Sequence, residues 1–397
     1  MNKKILYITT AYILKNSSAA IRNNSLVKGL VELGYEVNVY TIQWPSDMSS
    51  DYFLNESNGK IHFTFLNRLK NISKIKKKTT TSNKSVKLAK LRALLKKIVF
   101  FPDECSEWIK TFPYNTVDKY DVVITSSDHK TAHYIGLKIK RENPNVNWIQ
   151  IWGDPWSSDV NTLSIMRKYI AGCEKKLLNA ADKIIYVSSA TAGALKVTYP
   201  ELSKKIYYVP RGYYNSFIDN SDNSYNKESI IQIAYTGVIS FGRNIFALAE
   251  TIKKENLSHR FLIKVYGNCS FEVEKKLREY PFIKLNKGLD FEHMSNIYQE
   301  ASILLYLSNK KGTTQIPGKL FDYMGTTKPI LCLVDNETDE ISMMLKEYDR
   351  CFVVENTVNS IRMKMDEIMS LSSKSFSPEE RYSPSTVAKQ VVNLITK

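Results

Sequence analysis

Apolar runs and residues at helical spacing alternate along most of the chain. KKILYIT, residues 3–9, reads as a buried strand. SSAAIRNNSLVKGLVELG (17–34) starts on Ser, carries apolar residues at helical spacing and stops at Gly34, so it predicts a helix. YEVNVYTI (35–42) is the next strand, and this order predicts a parallel, doubly wound sheet. Strands follow at 120–127, 146–153, 182–189 and 205–210, with helices at 130–142, about 162–179 and one ending at Thr198. RGYYNSFIDNSDNSYNKES (211–229) breaks the rhythm: it is polar, has little periodicity and reads as a linker. The alternation restarts with strands at 231–237, 261–267, near 282–285, 302–307 and 329–334. Helices are predicted from about Asn244 and at 271–279, 291–300 and 317–324, and an amphipathic helix closes the chain at 383–396. The prediction is two α/β domains, 1–210 and 230–380, joined by the 211–229 linker, with the 381–397 helix crossing back to the first domain.

The length of 397 residues exceeds one ordinary core and agrees with two domains. No stretch approaches the ~20 apolar residues of a spanning helix. The opening MNKKILYITTAYIL has too short an apolar core for a span and lacks a small-residue cleavage site, so it reads as a strand. Cys105, Cys173, Cys269, Cys332 and Cys351 are scattered with no C-x-x-C pair, which favours free cytosolic thiols over zinc or disulfides.

The net charge of +16 has one main address: Arg68 to Lys97 holds twelve Lys or Arg and no acid, and about +4 remains elsewhere. A nucleic-acid-coating protein spreads such charge over a face, so nucleic acid is not the expected partner. From about Lys84, Leu88, Leu91, Leu95 and Ile98 follow 3-4-3 spacing with lysines between them, a basic amphipathic helix. It packs on its own domain or docks on anionic lipid. The uncompensated charge favours an anionic membrane surface as partner of 68–97, with the protein peripheral on the inner, cytoplasmic face of the membrane.

In open parallel sheets ligands bind beyond the C-terminal strand ends, and with two sheets the natural site is the cleft between them. TGVISFGRN follows strand 231–236. Gly237 permits close backbone approach, and Gly242-Arg243-Asn244 opens a helix whose N–H groups, with Arg243, suit an anion. In QIPGKLFDYMGTTKPIL (315–331), Pro317 is tolerated at a helix start, Gly318 gives access and Lys319 supplies charge. Asp322 shares a face with Lys319 and lies roughly 6–8 Å from the helix tip, about the distance from a pyrophosphate to its sugar hydroxyls. It either accepts from a ribose or pairs with Lys319 at the surface. His293 either meets a base or is a solvated helix residue. In WIQIWGDPWSSD (148–159), Asp154 ends a strand, placed as a base or to orient a hydroxyl. Trp152 and Trp156 either stack on a sugar or fill a capped turn. Ser126, Ser127 and Asp128 are placed to cap the helix at 130–142, with ligand contact open. His129 and His133 have metal-ligand spacing, but no acid or Cys partner completes a site, so no metal is expected.

YDVVITSSDHKTAHYIGLKIK, WIQIWGDPW, ADKIIYVSSATAGAL, YYVPRGYY, IPGKLFDYMGTTKPIL and FPDECSEW together resemble the GT-B glycosyltransferases. The set is similar to the retaining family 4 (glycosyl transferases group 1), in the branch that builds bacterial surface polysaccharides such as capsule or O-antigen. The resemblance implies two Rossmann-like domains facing a cleft and a nucleotide diphosphate sugar as substrate, with no further cofactor. Arg243 and Lys319 would touch the diphosphate and Asp322 the ribose. A saccharide or lipid-linked acceptor would bind near Asp154. Leaving-group charge would be met by basic side chains and helix tips. Two departures stand out. Members often carry Glu-x7-Glu; Asp322 fills the second place, but Thr314, beside Gln315, offers the donor sugar no carboxylate. The first βα loop, often Gly-rich, is AYILKNSSAAIRN here, leaving acceptor contact to Ser17, Ser18 and Arg22, with Ser127 and Trp156. A GT-B nucleotide-sugar epimerase and a catalytically silent scaffold subunit are the alternatives.

Overall fold

The computed structural model describes residues 3–56, 58–69, 99–159, 162–217, 230–308 and 316–396. The chain divides into two compact units, Met1–Gly212 with Pro384–Lys397, and Tyr213–Ser383. In the first unit, β1 (Lys4–Thr9), β2 (Glu36–Ile42), β3 (Lys60–Thr64), β4 (Val122–Ser127), β5 (Asn147–Trp152), β6 (Lys183–Tyr186) and β7 (Ile206–Tyr208) form a parallel sheet in the order β3-β2-β1-β4-β5-β6-β7. Its helices are α1 (Ser18–Glu32), α2 (Asp51–Asn55), α3 (Trp108–Thr111), α4 (Thr131–Glu142), α5 (Arg167–Ala180) and α6 (Ser189–Thr198). β4 is buried at every position, as expected of a parallel strand covered on both faces. β3, absent from the predicted elements, is a half-exposed edge strand with few apolar residues.

In the second unit, β8 (Ile231–Thr236), β9 (Phe261–Tyr266), β10 (Ile283–Asn286), β11 (Ile303–Leu307), β12 (Ile330–Val334) and β13 (Cys351–Glu355) form a parallel sheet in the order β10-β9-β8-β11-β12-β13. The helices are α7 (Phe246–Lys254), α8 (Phe271–Leu277), α9 (Met294–Glu300), α10 (Lys319–Met324), α11 (Glu340–Lys346), α12 (Val358–Met363) and α13 (Met365–Ser370). The final helix α14 (Pro384–Thr396) belongs to the first unit, where it packs on α1. Gly29 permits that packing: a Cβ there would stand 1.9 Å from the Pro384 carbonyl oxygen.

The start of the expected linker is packed rather than solvated, with Arg211, Tyr213 and Tyr214 buried. Residues 218–229, residues 70–97 of the basic segment, and Thr314 and Gln315 lie outside the described residues. All five cysteines are free thiols. Among the described residues no helix is long and apolar enough to cross a membrane. Strand order reverses at β1/β4 in one unit and at β8/β11 in the other, which marks the C-terminal ends of those strands as the places to look for a site.

Candidate functional site

In the first unit the chain leaves β1 and enters α1, where Ser17 accepts the Ala20 N–H at 3.3 Å as the N-cap. One turn on, Arg22 reaches back over the strand ends. Its Nη2 donates to Ser126 Oγ at 3.2 Å and to the Ser127 carbonyl oxygen at 2.9 Å, and lies 4.0 Å from Asp128 Oδ1. Gly153 leaves it room, since a Cβ there would stand 2.7 Å from Arg22 Nη1. Asn23, fully buried, locks the same corner. It accepts from the Tyr7 and Ser126 hydroxyls at 2.9 and 2.6 Å, and donates to Thr9 Oγ1 and the Ala11 carbonyl oxygen, both at 2.9 Å. Burial pushes the Tyr7 phenol up to about 12, so it stays protonated as donor. Ser18 Oγ accepts from Arg211 Nη1 at 3.0 Å. The structure therefore gathers Ser17, Ser18, Arg22 and Ser127 at one strand edge. Arg22 is only 8% exposed and Ser127 is buried, so these two chiefly brace the rim.

Asp154 follows in the loop after β5, between half-buried Gly153 and Pro155. That loop is tied down by Glu174 of α5, a fully buried carboxylate that accepts the Trp156 N–H at 2.7 Å, the Ser157 N–H at 3.2 Å and the Ser157 hydroxyl. Lys130 Nζ lies 5.0 Å above the Trp152 ring and donates to Ser127 Oγ at 3.4 Å. Desolvation raises the Asp154 carboxyl above the usual range; Lys130 and Arg22 oppose this, and Asp159 and Asp128 add to it. Desolvation lowers the Lys130 ammonium against Asp128 and Asp154. A carboxylate with raised proton affinity, within electrostatic reach of a lysine with lowered affinity, suits proton transfer at a hydroxyl.

Several expectations change. Trp152 is fully buried between His133 at 4.3 Å and Tyr186 at 6.0 Å. Trp156, 9% exposed, stacks on Phe101 at 5.6 Å. Both fill the core of a fixed turn, so Trp156 leaves the acceptor set. Ser126, Ser127 and Asp128 do not cap α4, because the two serines are engaged by Arg22, Asn23 and Lys130. Asp103 from FPDECSEW takes that place, accepting the Thr131 N–H at 2.9 Å and hydroxyl at 2.6 Å. His129 and His133 take different partners: Thr10 Oγ1 at 2.8 Å, with Glu104 at 3.8 Å, and the buried Thr125 Oγ1 at 2.8 Å. Burial pulls His129 down, but Glu104, Asp103 and Asp128 outweigh it and leave the imidazole raised.

In the second unit Tyr323 pins α10 to the end of β8. Its Oη accepts the Thr236 N–H at 3.1 Å and pairs with Thr236 Oγ1 at 3.0 Å. Gly237 follows at once, its carbonyl so close to Gly267 that a Cβ on the latter would stand 1.9 Å away. Gly242-Arg243-Asn244 does not open a helix. Ser240 and Arg243 exchange backbone hydrogen bonds at 3.0 Å in a tight turn, and α7 begins at Phe246. Arg243 Nε donates to the Leu307 carbonyl oxygen at 3.3 Å, at the end of β11. With Gly242, Ser308, Asp335 and Asn356 it lines a cavity of about 490 Å³.

α10 is shorter than predicted, with Pro317 ahead of it and Gly318 at its N-cap. Asp322 falls in its first turn, 3.9 Å from Lys319 Nζ and only 2% exposed, so a solvated surface pair is excluded. The helix stops in Gly-Thr-Thr-Lys-Pro because buried Arg350 collects the carbonyl oxygens of Met324, Thr326 and Lys328 at 2.9, 2.6 and 2.8 Å. His293 is exposed, 3.6 Å from Glu292. Asn23, Glu174, Tyr323 and Arg350 were missing from the candidates. Glu174 left a signal, since it stands four residues after Ile170 and three before Leu177 on the buried stripe of α5.

The family model Glycosyltransferase Family 4 matches residues 20–214. No curated protein matches the sequence. Among solved structures, HepE (Alr3699) of Anabaena, in complex with UDP and glucose, aligns with a TM-score of 0.59 at 11% identity over 100% of both chains. UDP-GlcNAc 2-epimerase from Neisseria meningitidis, bound to UDP-GlcNAc, aligns at 0.58 with 13% identity over 99% of each chain. The lipopolysaccharide outer core galactosyltransferase WaaB, in its apo form, aligns at 0.54 with 13% identity over 99% of each chain. At such identities the likeness speaks for the fold. The chain thus has the GT-B fold, and its residues 20–214 match the Glycosyltransferase Family 4 model.

Proposed function

We propose that the chain transfers a sugar, with retention of configuration, from a nucleoside diphosphate sugar to a saccharide or lipid-linked saccharide in bacterial surface-polysaccharide synthesis. The second unit takes the donor. The observation that carries this reading is the β8/β11 edge, where Tyr323 holds α10 at Thr236-Gly237 and Arg243 stands at the end of β11. Arg243 and Lys319 meet the diphosphate and offset the charge of the leaving group, which asks for no resident cofactor. Asp322, 3.9 Å from Lys319, takes the ribose hydroxyls. In the first unit Asp154 orients or deprotonates the acceptor hydroxyl, with Lys130 in electrostatic reach. The basic segment 68–97 holds the enzyme to an anionic membrane where a lipid-linked acceptor lies.

A thermal-shift panel of nucleoside diphosphates tests the donor site. One of them raises the melting temperature, and Arg243→Ala abolishes the gain; no shift with any base sinks the reading. A nucleotide-sugar epimerase is the second reading, favoured by the epimerase of the same fold. Product analysis separates the two, since an epimerised donor formed without acceptor supports that alternative. Asp154→Asn abolishes turnover in an enzyme and leaves a scaffold's partner binding intact.

A further inference from the structure

α5 carries Arg167, Lys168, Lys175 and Lys176 on its exposed side, and its single carboxylate, Glu174, is buried. Large apolar side chains stand among these cations. Ile165, in the turn before the helix, is 78% exposed, Tyr169 is 60% exposed, and Val99 is 66% exposed. Phe101 packs tilted against Tyr169 at 5.2 Å and stacks on Trp156 at 5.6 Å, which joins the patch to the loop of Asp154. We propose that this face is a docking surface for an anionic lipid bilayer. Ile165, Tyr169 and Val99 dip into the headgroup region, and Arg167, Lys168 and Lys176 pair with lipid phosphates.

Three observations select that occupant. Exposed aliphatic tips ringed by cations fit an interface that is apolar below and anionic above. Val99 stands two residues after the last of twelve uncompensated cations, so the sequence leads from that stretch to this face. A second copy of the chain would set the same cations against each other, and aliphatic tips add nothing on a nucleic acid. Docking here would bring the Asp154 loop, held by Glu174 of the same helix, to the lipid surface. The purpose rests on the lipid-linked acceptor reading, while the test uses neither donor nor acceptor.

Full-length chain is floated with vesicles of phosphatidylcholine alone or mixed with phosphatidylglycerol. Wild type binds the mixed vesicles, and more weakly at high salt. Arg167→Glu with Lys168→Glu weakens binding about 25-fold or more, at about fivefold for each basic residue near the surface. Ile165→Ser with Tyr169→Ser weakens it at least about fivefold and keeps the salt dependence. Both pairs lie on the surface and melt like wild type. Wild-type binding by either pair overturns the proposal, because segment 68–97 then carries attachment alone. Equal binding to both vesicle types overturns it, as does retention on an oligonucleotide with no vesicle binding. A chain that docks through this face yet transfers no sugar refutes the proposed reaction and leaves the surface standing.

Discussion

Replacing Glu174 with glutamine tests how the Asp154 loop is held. The carboxylate has no solvent exposure and serves three donors: the N–H groups of Trp156 and Ser157 and the Ser157 hydroxyl. Hydrogen bonds to an ionised acceptor contribute about 1.5–3 kcal/mol each. In Glu174→Gln the amide oxygen keeps one N–H, and the hydroxyl can turn to accept. The amide NH2, however, faces the second N–H, donor against donor. Losing one charge-assisted bond costs about 2–3 kcal/mol, and relief of the buried charge offsets part of it. The expected net loss is about 2 kcal/mol. Glu174→Ala leaves both N–H groups unpaired and opens a cavity, so its loss is about 4 kcal/mol or more. Urea unfolding followed by tryptophan fluorescence reads both, since Trp156 lies in the loop. Turnover falls further than stability in the glutamine variant because Asp154 is displaced. If glutamine unfolds at the wild-type midpoint, or costs as much as alanine, the carboxylate is not the tie described here.

Two further tests address stability. Burial, with Lys130 and Arg22, holds His133 well below the ordinary imidazole value, so the folded chain keeps it neutral while the unfolded chain protonates near about 6.5. The stabilisation is whole above about pH 6.5 and is lost as pH falls, by up to about 1.4 kcal/mol per pH unit. Melts at decreasing pH show that slope, and His133→Gln flattens it; an unchanged slope in the variant contradicts the assignment. Arg350→Leu strips the donors from three carbonyl groups and destabilises the second unit by about 3 kcal/mol or more. The nucleotide-dependent thermal shift disappears with it, and a variant that melts like wild type refutes the role given to Arg350.

The regular elements were legible where burial is two-sided. β1, β4 and β12 are apolar runs with polar ends, and α1 announces itself with Ser17 and Gly34. β3 was hidden because KIHFT is a half-exposed edge strand, and β13 because CFVVE is only five residues long. The places where chemistry belongs were also legible, since they follow from strand order and loop position. The wiring inside them was not, because its partners are distant in sequence. Asn23 meets Ser126, Asp103 meets Thr131, and Tyr323 meets Thr236. Local spacing carries no trace of such pairs. Gly242-Arg243-Asn244 was misread for a different reason: a turn closed by Ser240 and Arg243 uses the same small and polar residues that begin a helix.

The home of α14 has a practical bearing on dissection of the chain. The piece that completes the first unit is encoded after the whole of the other unit, and it rests where Gly29 tolerates nothing larger than hydrogen. A fragment ending at residue 212 would bare the apolar stripe of α1 and invite clumping. To express that half alone, one would graft Pro384–Thr396 back onto it through a short tether.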